Sequence, residues 1–469
     1  MAKSKNREYM VVTYLFLILF LALIGYFIYF LAVESETFIN NPYNSLQNLF
    51  SEYVVRGDIE SADGYVLAET KTDDDGNETR VYPYGDLFAH AVGYTANGKT
   101  GLESQANFLL LRSHSFFASQ ILNELQDKKN PGDTVVTTLN YELQKTAYDA
   151  LGNQDGAVIV MEPKTGKILA MVSKPDYDPN TIAEDWEDIT SGESSVLLNR
   201  ATQGKYTPGS VFKIITTLEY YRENGSEISD YSFDCTSSYT HDGKTIHCAS
   251  DKAHGKEDLL ASFANSCNSS YASLSLDLDM GKFQKTCNGL LFNTDLPVTF
   301  ESGKSSFSIE KDASDALVME TGIGQGKTLV SPLHMLSLVS AIDNGGTLMA
   351  PYLVDSVKND AGNVVETFAS SQNLTLFTED EADFLEEYLR AVVTDGTGSK
   401  LDTDDYTAYG KTGTAQVSDS TSQTNAWFVG YAKADGCEDI AIAVIVEGGT
   451  SGSSSAVPIA KKLFEAYFE

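Results

Sequence analysis

From Val11 to Val33 the chain carries no charged residue. A helix rises ~1.5 Å per residue, so this run spans roughly 34 Å, enough to cross a bilayer core. A cleaved signal peptide would have a shorter apolar stretch, ~7–15 residues, with an A-x-A-like site after it. Here the run is longer and ends in Val33-Glu34-Ser35-Glu36. The expectation is an uncleaved transmembrane helix over residues 11–33 in place of a buried core helix. Residues 1–10 hold Lys3, Lys5 and Arg7 against Glu8. Such a basic flank stays in the cytoplasm, which would put everything after Glu34 outside the membrane.

The 469 residues suffice for two or three domains. A net charge of −33 argues against nucleic acid or anionic lipid as a partner held by bulk charge. An anionic substrate would need a local positive site, for which Lys213 and Lys411 are candidates. Five cysteines leave at least one unpaired outside the membrane. Cys235 and Cys248 could pair, and Cys267 reads as a small buried filler. No spacing resembles a zinc site, and His241, His247 and His254 lack a metal-like arrangement, so no metal or cofactor is expected. Sequons stand at Asn77, Asn268 and Asn373.

Residues 34–152 read as a mixed pedestal or partner-binding domain without chemistry of its own. Lys71 to Arg80 is a polar turn between strands, and the apolar patch from Phe108 to Leu122 is expected to pack on the catalytic domain. Tyr141 to Leu151 reads as a helix. Gly156–Met161 and Lys167–Val172 flank a Pro163-Lys164-Thr165-Gly166 turn and form a hairpin, with the catalytic domain running from 153 to 469. Helical segments follow around Leu259 to Leu278 and Pro332 to Asp343. The chain closes with strands near 407–417, 426–433 and 439–446 and a helix near 456–468. Strands at both ends around a helical middle point to an α+β domain, an antiparallel sheet covered by helices.

Within that domain Lys205-Tyr206-Thr207-Pro208-Gly209-Ser210-Val211-Phe212-Lys213 breaks a loop with Pro-Gly and opens an apolar helix. Ser210 and Lys213 are three apart near the helix start and share a face. The helix N-terminus supplies unpaired N–H groups for an oxyanion. A desolvated lysine there has a lowered pKa and can act as the base that activates the serine. The S-x-x-K pattern alone is weak, since it recurs at Ser308-Ile309-Glu310-Lys311 in polar sequence. Two further elements complete the set: Ser266-Cys267-Asn268 and Lys411-Thr412-Gly413-Thr414. Each has decoys. Ser371-Gln372-Asn373 lies in a polar run, and the K-T-G copies at Lys99 and Lys164 precede the serine. Only the Lys411 copy lies downstream, in a strand-like stretch from Tyr406 to Val417.

The chain thereby resembles the penicillin-binding proteins, in detail the monofunctional class B transpeptidases. Asn199-Arg200-Ala201, His254-Gly255, Gly324-Gln325-Gly326, Ser331-Pro332-Leu333, Gly396-Thr397-Gly398 and Ala426-Trp427-Phe428 with Gly430 resemble that family's landmarks. So do Val55-Arg56-Gly57-Asp58-Ile59 and Gly64-Tyr65-Val66-Leu67-Ala68, although Ser61-Ala62-Asp63 replaces the usual Asp-Arg-Asn. The resemblance runs from about residue 55 to the C-terminus. It implies a serine acyltransferase that cross-links peptidoglycan stem peptides, releases D-Ala and is acylated by β-lactams. It implies catalytic roles for Ser210, Lys213 and Ser266, and substrate contacts from Asn268, Lys411, Thr412, Gly413 and Thr414. It also implies an oxyanion hole from the N–H groups of Ser210 and Thr414, and a membrane glycan polymerase of the SEDS type as partner. A D,D-carboxypeptidase or β-lactamase shares the triplet, and a penicillin-binding scaffold for the polymerase is the other alternative. A signalling receptor would need more than ten residues before its anchor.

Overall fold

The computed structural model describes residues 5–31, 50–191, 195–417 and 423–469. Lys3, Val33 and the Glu34-Ser35-Glu36 flank lie outside them. Helix α1 (Lys5–Tyr29) buries none of its apolar side chains against the rest of the protein, and residues 7–29 are long and apolar enough to cross a membrane. A core helix would hide those side chains; the exposed apolar surface of α1 fits a membrane anchor.

The next region builds on strands β1 (Ile59–Glu60), β2 (Val66–Thr72), β3 (Glu78–Val81) and β4 (Thr134–Thr137). A polar turn joins β2 to β3 as the sequence indicates. Ser61 is buried and its Oγ accepts from Tyr65 N–H, while Asp63 accepts from Tyr141 N–H. The departure from Asp-Arg-Asn thus supplies a turn contact and a helix-start contact. Arg56 and Arg80 both grip Glu103, whose side chain is fully buried. The apolar patch divides: Leu110 and Leu111 are buried, but Phe116, Phe117, Leu122 and Leu125 are exposed. Helix α2 (Phe117–Leu125) has no buried residue, which corrects the expectation for this half of the patch, while Leu110 joins the core shared with the catalytic domain.

Helix α3 (Tyr141–Leu151) begins at an Asn140 cap. It leads to β5 (Gly156–Met161) and β6 (Ile168–Lys174), the expected hairpin. The helical middle contains α4 (Lys213–Asn224), α5 (Leu259–Ala264), α6 (Asn268–Ser275) and α7 (Pro332–Asp343). A second hairpin, β7 (Val354–Lys358) and β8 (Val364–Thr367), returns to the pedestal, where β7 pairs with β4. One six-stranded sheet, in the order β8-β7-β4-β1-β2-β3, therefore joins both parts of the chain.

After α8 (Glu379–Thr394) come β9 (Thr407–Gln416), β10 (Thr424–Lys433), β11 (Ile440–Glu447) and α9 (Val457–Phe468). These strands form the sheet β9-β10-β11-β5-β6, antiparallel throughout. Alternation assigns its two faces. Val158, Val160, Ile442 and Val444 pack with Leu143 of α3 and Leu463 of α9. Ile159, Ala443 and Trp427 face the other way, into the core that contains Leu336 and Val339 of α7. With helices on both faces the inner strands are buried throughout, which explains their nearly unbroken apolar runs.

Candidate active site

The site lies where β9, at the edge of the five-stranded sheet, meets the turn before α4. Tyr206 exchanges backbone hydrogen bonds with Val330, and Gly209 N–H donates to Gly324 O at 2.8 Å. Gly209 has φ +54°, and a Cβ there would stand 2.8 Å from Thr414 O. Only glycine allows this backbone to press against β9. A short 3₁₀ turn (Gly209–Phe212) follows and runs into α4. Phe212 is wedged among Phe283, Phe292 and Phe307. That packing anchors the turn from below and leaves Ser210 half-buried at the surface.

Lys213 begins α4 with its side chain fully buried. Its Nζ donates to Ser266 O and Asn268 Oδ1, both at 2.8 Å, and lies 3.4 Å from Ser266 Oγ. The Tyr271 ring closes the pocket, 4.9 Å from Nζ. Burial pushes the Lys213 pKa down to about 8, against the opposing pull of Cys267, Cys248 and Glu257. Ser266 sits between α5 and α6 with φ +57°, an unfavourable backbone for a serine. The break in the helix turns Ser266 and Asn268 toward Lys213, and Asn268 Nδ2 is tied to His247 O at 2.9 Å.

Strand β9 places Lys411 opposite Val429 and Gly413 opposite Trp427 in its ladder with β10. Lys411 is fully buried, 5.3 Å from the Phe263 ring, and donates to Thr412 O at 3.3 Å. Burial pushes its pKa well below the ordinary lysine value, and neighbouring Lys213 lowers it further. Thr412 Oγ1 and Thr397 Oγ1 share a 2.6 Å hydrogen bond, and Thr414 Oγ1 accepts from Gly452 N–H. A Cβ on Gly413 would stand 3.0 Å from Val211 and 3.1 Å from Pro208 O, so the strand and the serine turn are in close contact. All three sequence elements therefore converge. Among the decoys, Lys164 occupies a hairpin turn and Ser308-Ile309-Glu310-Lys311 a loop.

Two features escape sequence reasoning. Glu447, at the end of β11, accepts from Tyr206 Oη and Arg200 Nε, both at 2.7 Å. It lines a cavity of about 470 Å³ with Asp155, Lys205 and Asn425. The second is a cluster. Sequence spacing points to no metal and gives His254 no part in one, yet the fold gathers Cys235, Cys248, His254 and Cys267. The possible Cys235–Cys248 pair is not bonded, and all five cysteines are free thiols. Cys267 is buried as expected, with its Sγ 3.7 Å from that of Cys248. These side chains come from a hairpin and a strained turn, which no short sequence repeat announces.

A family profile described as the penicillin binding protein transpeptidase domain matches residues 156–465. The chain belongs to the penicillin-binding transpeptidase family. A second profile, the penicillin binding protein A dimerisation domain, matches residues 56–135 of this penicillin-binding protein. It is 30% identical over 441 residues to the peptidoglycan D,D-transpeptidase PbpA of Mycolicibacterium smegmatis, covering 88% of each chain. Among solved structures it resembles penicillin-binding protein A of M. tuberculosis, with TM-score 0.80, 26% identity, and coverage of 88% of this chain and 99% of that one. The imipenem acyl-enzyme complex of that protein matches with TM-score 0.78 and 26% identity over the same shares.

Proposed function

We propose that this penicillin-binding protein is a peptidoglycan D,D-transpeptidase acting through a Ser210 acyl-enzyme. The observation that carries the reading is Lys213, buried and held between Ser266 and Asn268 one turn after Ser210. As a neutral amine, Lys213 takes the Ser210 hydroxyl proton. Oγ then attacks the carbonyl of the penultimate D-Ala of a stem peptide. The N–H groups of Ser210 and Thr414 receive the oxyanion. Ser266 passes a proton to the leaving D-Ala amine, and Asn268 holds both the substrate amide and Lys213.

On β9, Thr412 and Thr414 bind the terminal carboxylate, and Gly413 lets the strand approach the turn. Lys411 supplies positive potential. Burial lowers its pKa, and a substrate carboxylate beside it favours the charged form. An amine of a second stem then attacks the ester carbonyl, forms the cross-link and frees Ser210. A β-lactam follows the first step and remains attached. The relatives' transpeptidase names and the imipenem complex support this reading.

The proposed organisation is a cytoplasmic tail (1–10), a membrane anchor (11–33), a pedestal (34–152) and a transpeptidase domain (153–469), with the catalytic domain outside the cell membrane. The exposed apolar face of α2 and the single anchor support a SEDS-type glycan polymerase as partner. In intact cells a membrane-impermeant thiol reagent should reach exposed Cys437, and the polymerase should co-purify. Protection of Cys437, or loss of the polymerase during mild purification, would reverse these two assignments.

The reaction is tested by giving the full-length chain a pentapeptide ending in D-Ala-D-Ala together with a D-amino acid as acceptor. Mass spectrometry should find the exchanged peptide in excess over the hydrolysed tetrapeptide. Tetrapeptide alone would identify a carboxypeptidase, and unchanged pentapeptide would leave the scaffold.

A further inference from the structure

Four side chains meet beside the Ser266 turn. Cys235 ends the strand Phe233–Cys235, and Cys248 follows the strand Lys244–His247. His254 precedes the strand Gly255–Glu257, and Cys267 caps α6. One ligand atom from each lies within 4.8 Å of all the others. Cys235 Sγ is 3.6 Å from Cys248 Sγ and 3.4 Å from His254 Nδ1, and Cys248 Sγ is 3.7 Å from Cys267 Sγ. A disulfide would bring two sulfurs to ~2.05 Å. A tetrahedral zinc ion, with bonds of ~2.3 Å to sulfur and ~2.0–2.1 Å to nitrogen, sets ligand-to-ligand edges of roughly 3.5–3.8 Å. The three separations match those edges.

The surroundings call for a cation as well. Glu257 Oε2 is buried, has no hydrogen-bond partner among the described residues, and lies 4.0 Å from His254 Nδ1. Ser270 N–H donates to Cys267 Sγ at 3.4 Å, and Ser269 Oγ lies 3.2 Å from Cys248 Sγ. Metal-bound thiolates and imidazoles are held by outer contacts of this kind.

We propose that Cys235, Cys248, His254 and Cys267 form a closed structural site for a thiophilic divalent ion, zinc by its ligand set, which fixes the Ser266-Cys267-Asn268 turn against Lys213. The three thiols release their protons to solvent, their sulfurs and His254 Nδ1 donate electron pairs to the ion, and no group is oxidised or reduced. Cys267 lies between Ser266 and Asn268 in the chain, so the ion pins both lysine partners to the 233–257 segment. Four protein ligands leave no open position for substrate, which makes the ion's role positional. The binding claim stands apart from the proposed reaction; the effect on the turn rests on it.

Full-length protein purified in detergent without chelator should contain one zinc per chain by plasma mass spectrometry. Cobalt(II) added to stripped protein should give intense thiolate charge-transfer and tetrahedral d–d bands. Stripping should slow acylation by a fluorescent penicillin ~100-fold, the scale of a 1 Å misplacement in a site, and zinc should restore the rate. Cys235→Ser and His254→Ala should lose the metal. If they fail to fold, stripped and reloaded wild-type protein decides. Folded protein without metal, cobalt spectra lacking thiolate bands, or a Cys235–Cys248 disulfide found by peptide mass would overturn the site. Full acylation after stripping would overturn its role in the turn. Zinc retained in a protein that penicillin never acylates would uphold the site and reject the reaction.

Discussion

At the scale of single residues the proposed chemistry depends on one proton. Lys213 can accept it from Ser210 only as the neutral amine, and burial has brought its pKa from the ordinary 10.5 to about 8. The groups around Nζ include Cys248, Cys267 and Glu257, which favour the charged form, and Lys411, the second buried lysine of the site. The sign follows directly. Below pH 8 the lysine is mostly protonated, and each unit of increase raises the active fraction about tenfold until it levels off. Stopped-flow acylation by a β-lactam should therefore rise with pH and flatten above about 8. A rate independent of pH from roughly 6 to 9 would show that another group takes the proton. Ser210, Lys213 and Lys411 were legible because order and apolar context selected one copy of each motif. The cysteine and histidine cluster was not. Its ligands converge only through a hairpin and through the positive φ of Ser266, which have no signature in ligand spacing.

Among elements, the strongest test lies in the pedestal. Glu103 is fully buried and holds Arg56 and Arg80, whose side chains are only 12% and 8% exposed. Glu103→Gln would leave two guanidinium groups buried without a counter-charge. Removing one partner of such a buried network costs about 3–5 kcal/mol. Chemical denaturation of the full-length protein should show a loss of that size, and a change below about 1 kcal/mol would mean that water already screens the pair. Several elements could be read directly from periodicity and capping signals: α3, α7, the β5–β6 hairpin and the three closing strands lie where the sequence puts them. The six-stranded sheet could not. Its β1–β4 pair is parallel, and β7 and β8 return from far along the chain. Their short, partly exposed runs carry no mark of the strand they will join. The exposed face of α2 was misjudged for a related reason, because an apolar patch does not name its partner.

For the whole molecule, an apolar helix at one end and a buried five-stranded sheet at the other bracket the chain, and the serine turn is pressed between β9 and the helical middle. The shared six-stranded sheet ties the pedestal to the catalytic domain by backbone hydrogen bonds. Composition and the apolar N-terminal run made the long apolar helix and the acidic character readable. The joining of pedestal and catalytic domain through β4 and β7 appears only in three dimensions.

The central claim is that Ser210 is the acylated nucleophile of a slowly hydrolysing enzyme. The most direct measurement labels full-length protein and Ser210→Ala with a fluorescent penicillin, followed by a chase with unlabelled drug. A stable adduct should form on the intact protein and none on the variant. An adduct that persists in Ser210→Ala, or well-folded intact protein that never labels, would contradict it.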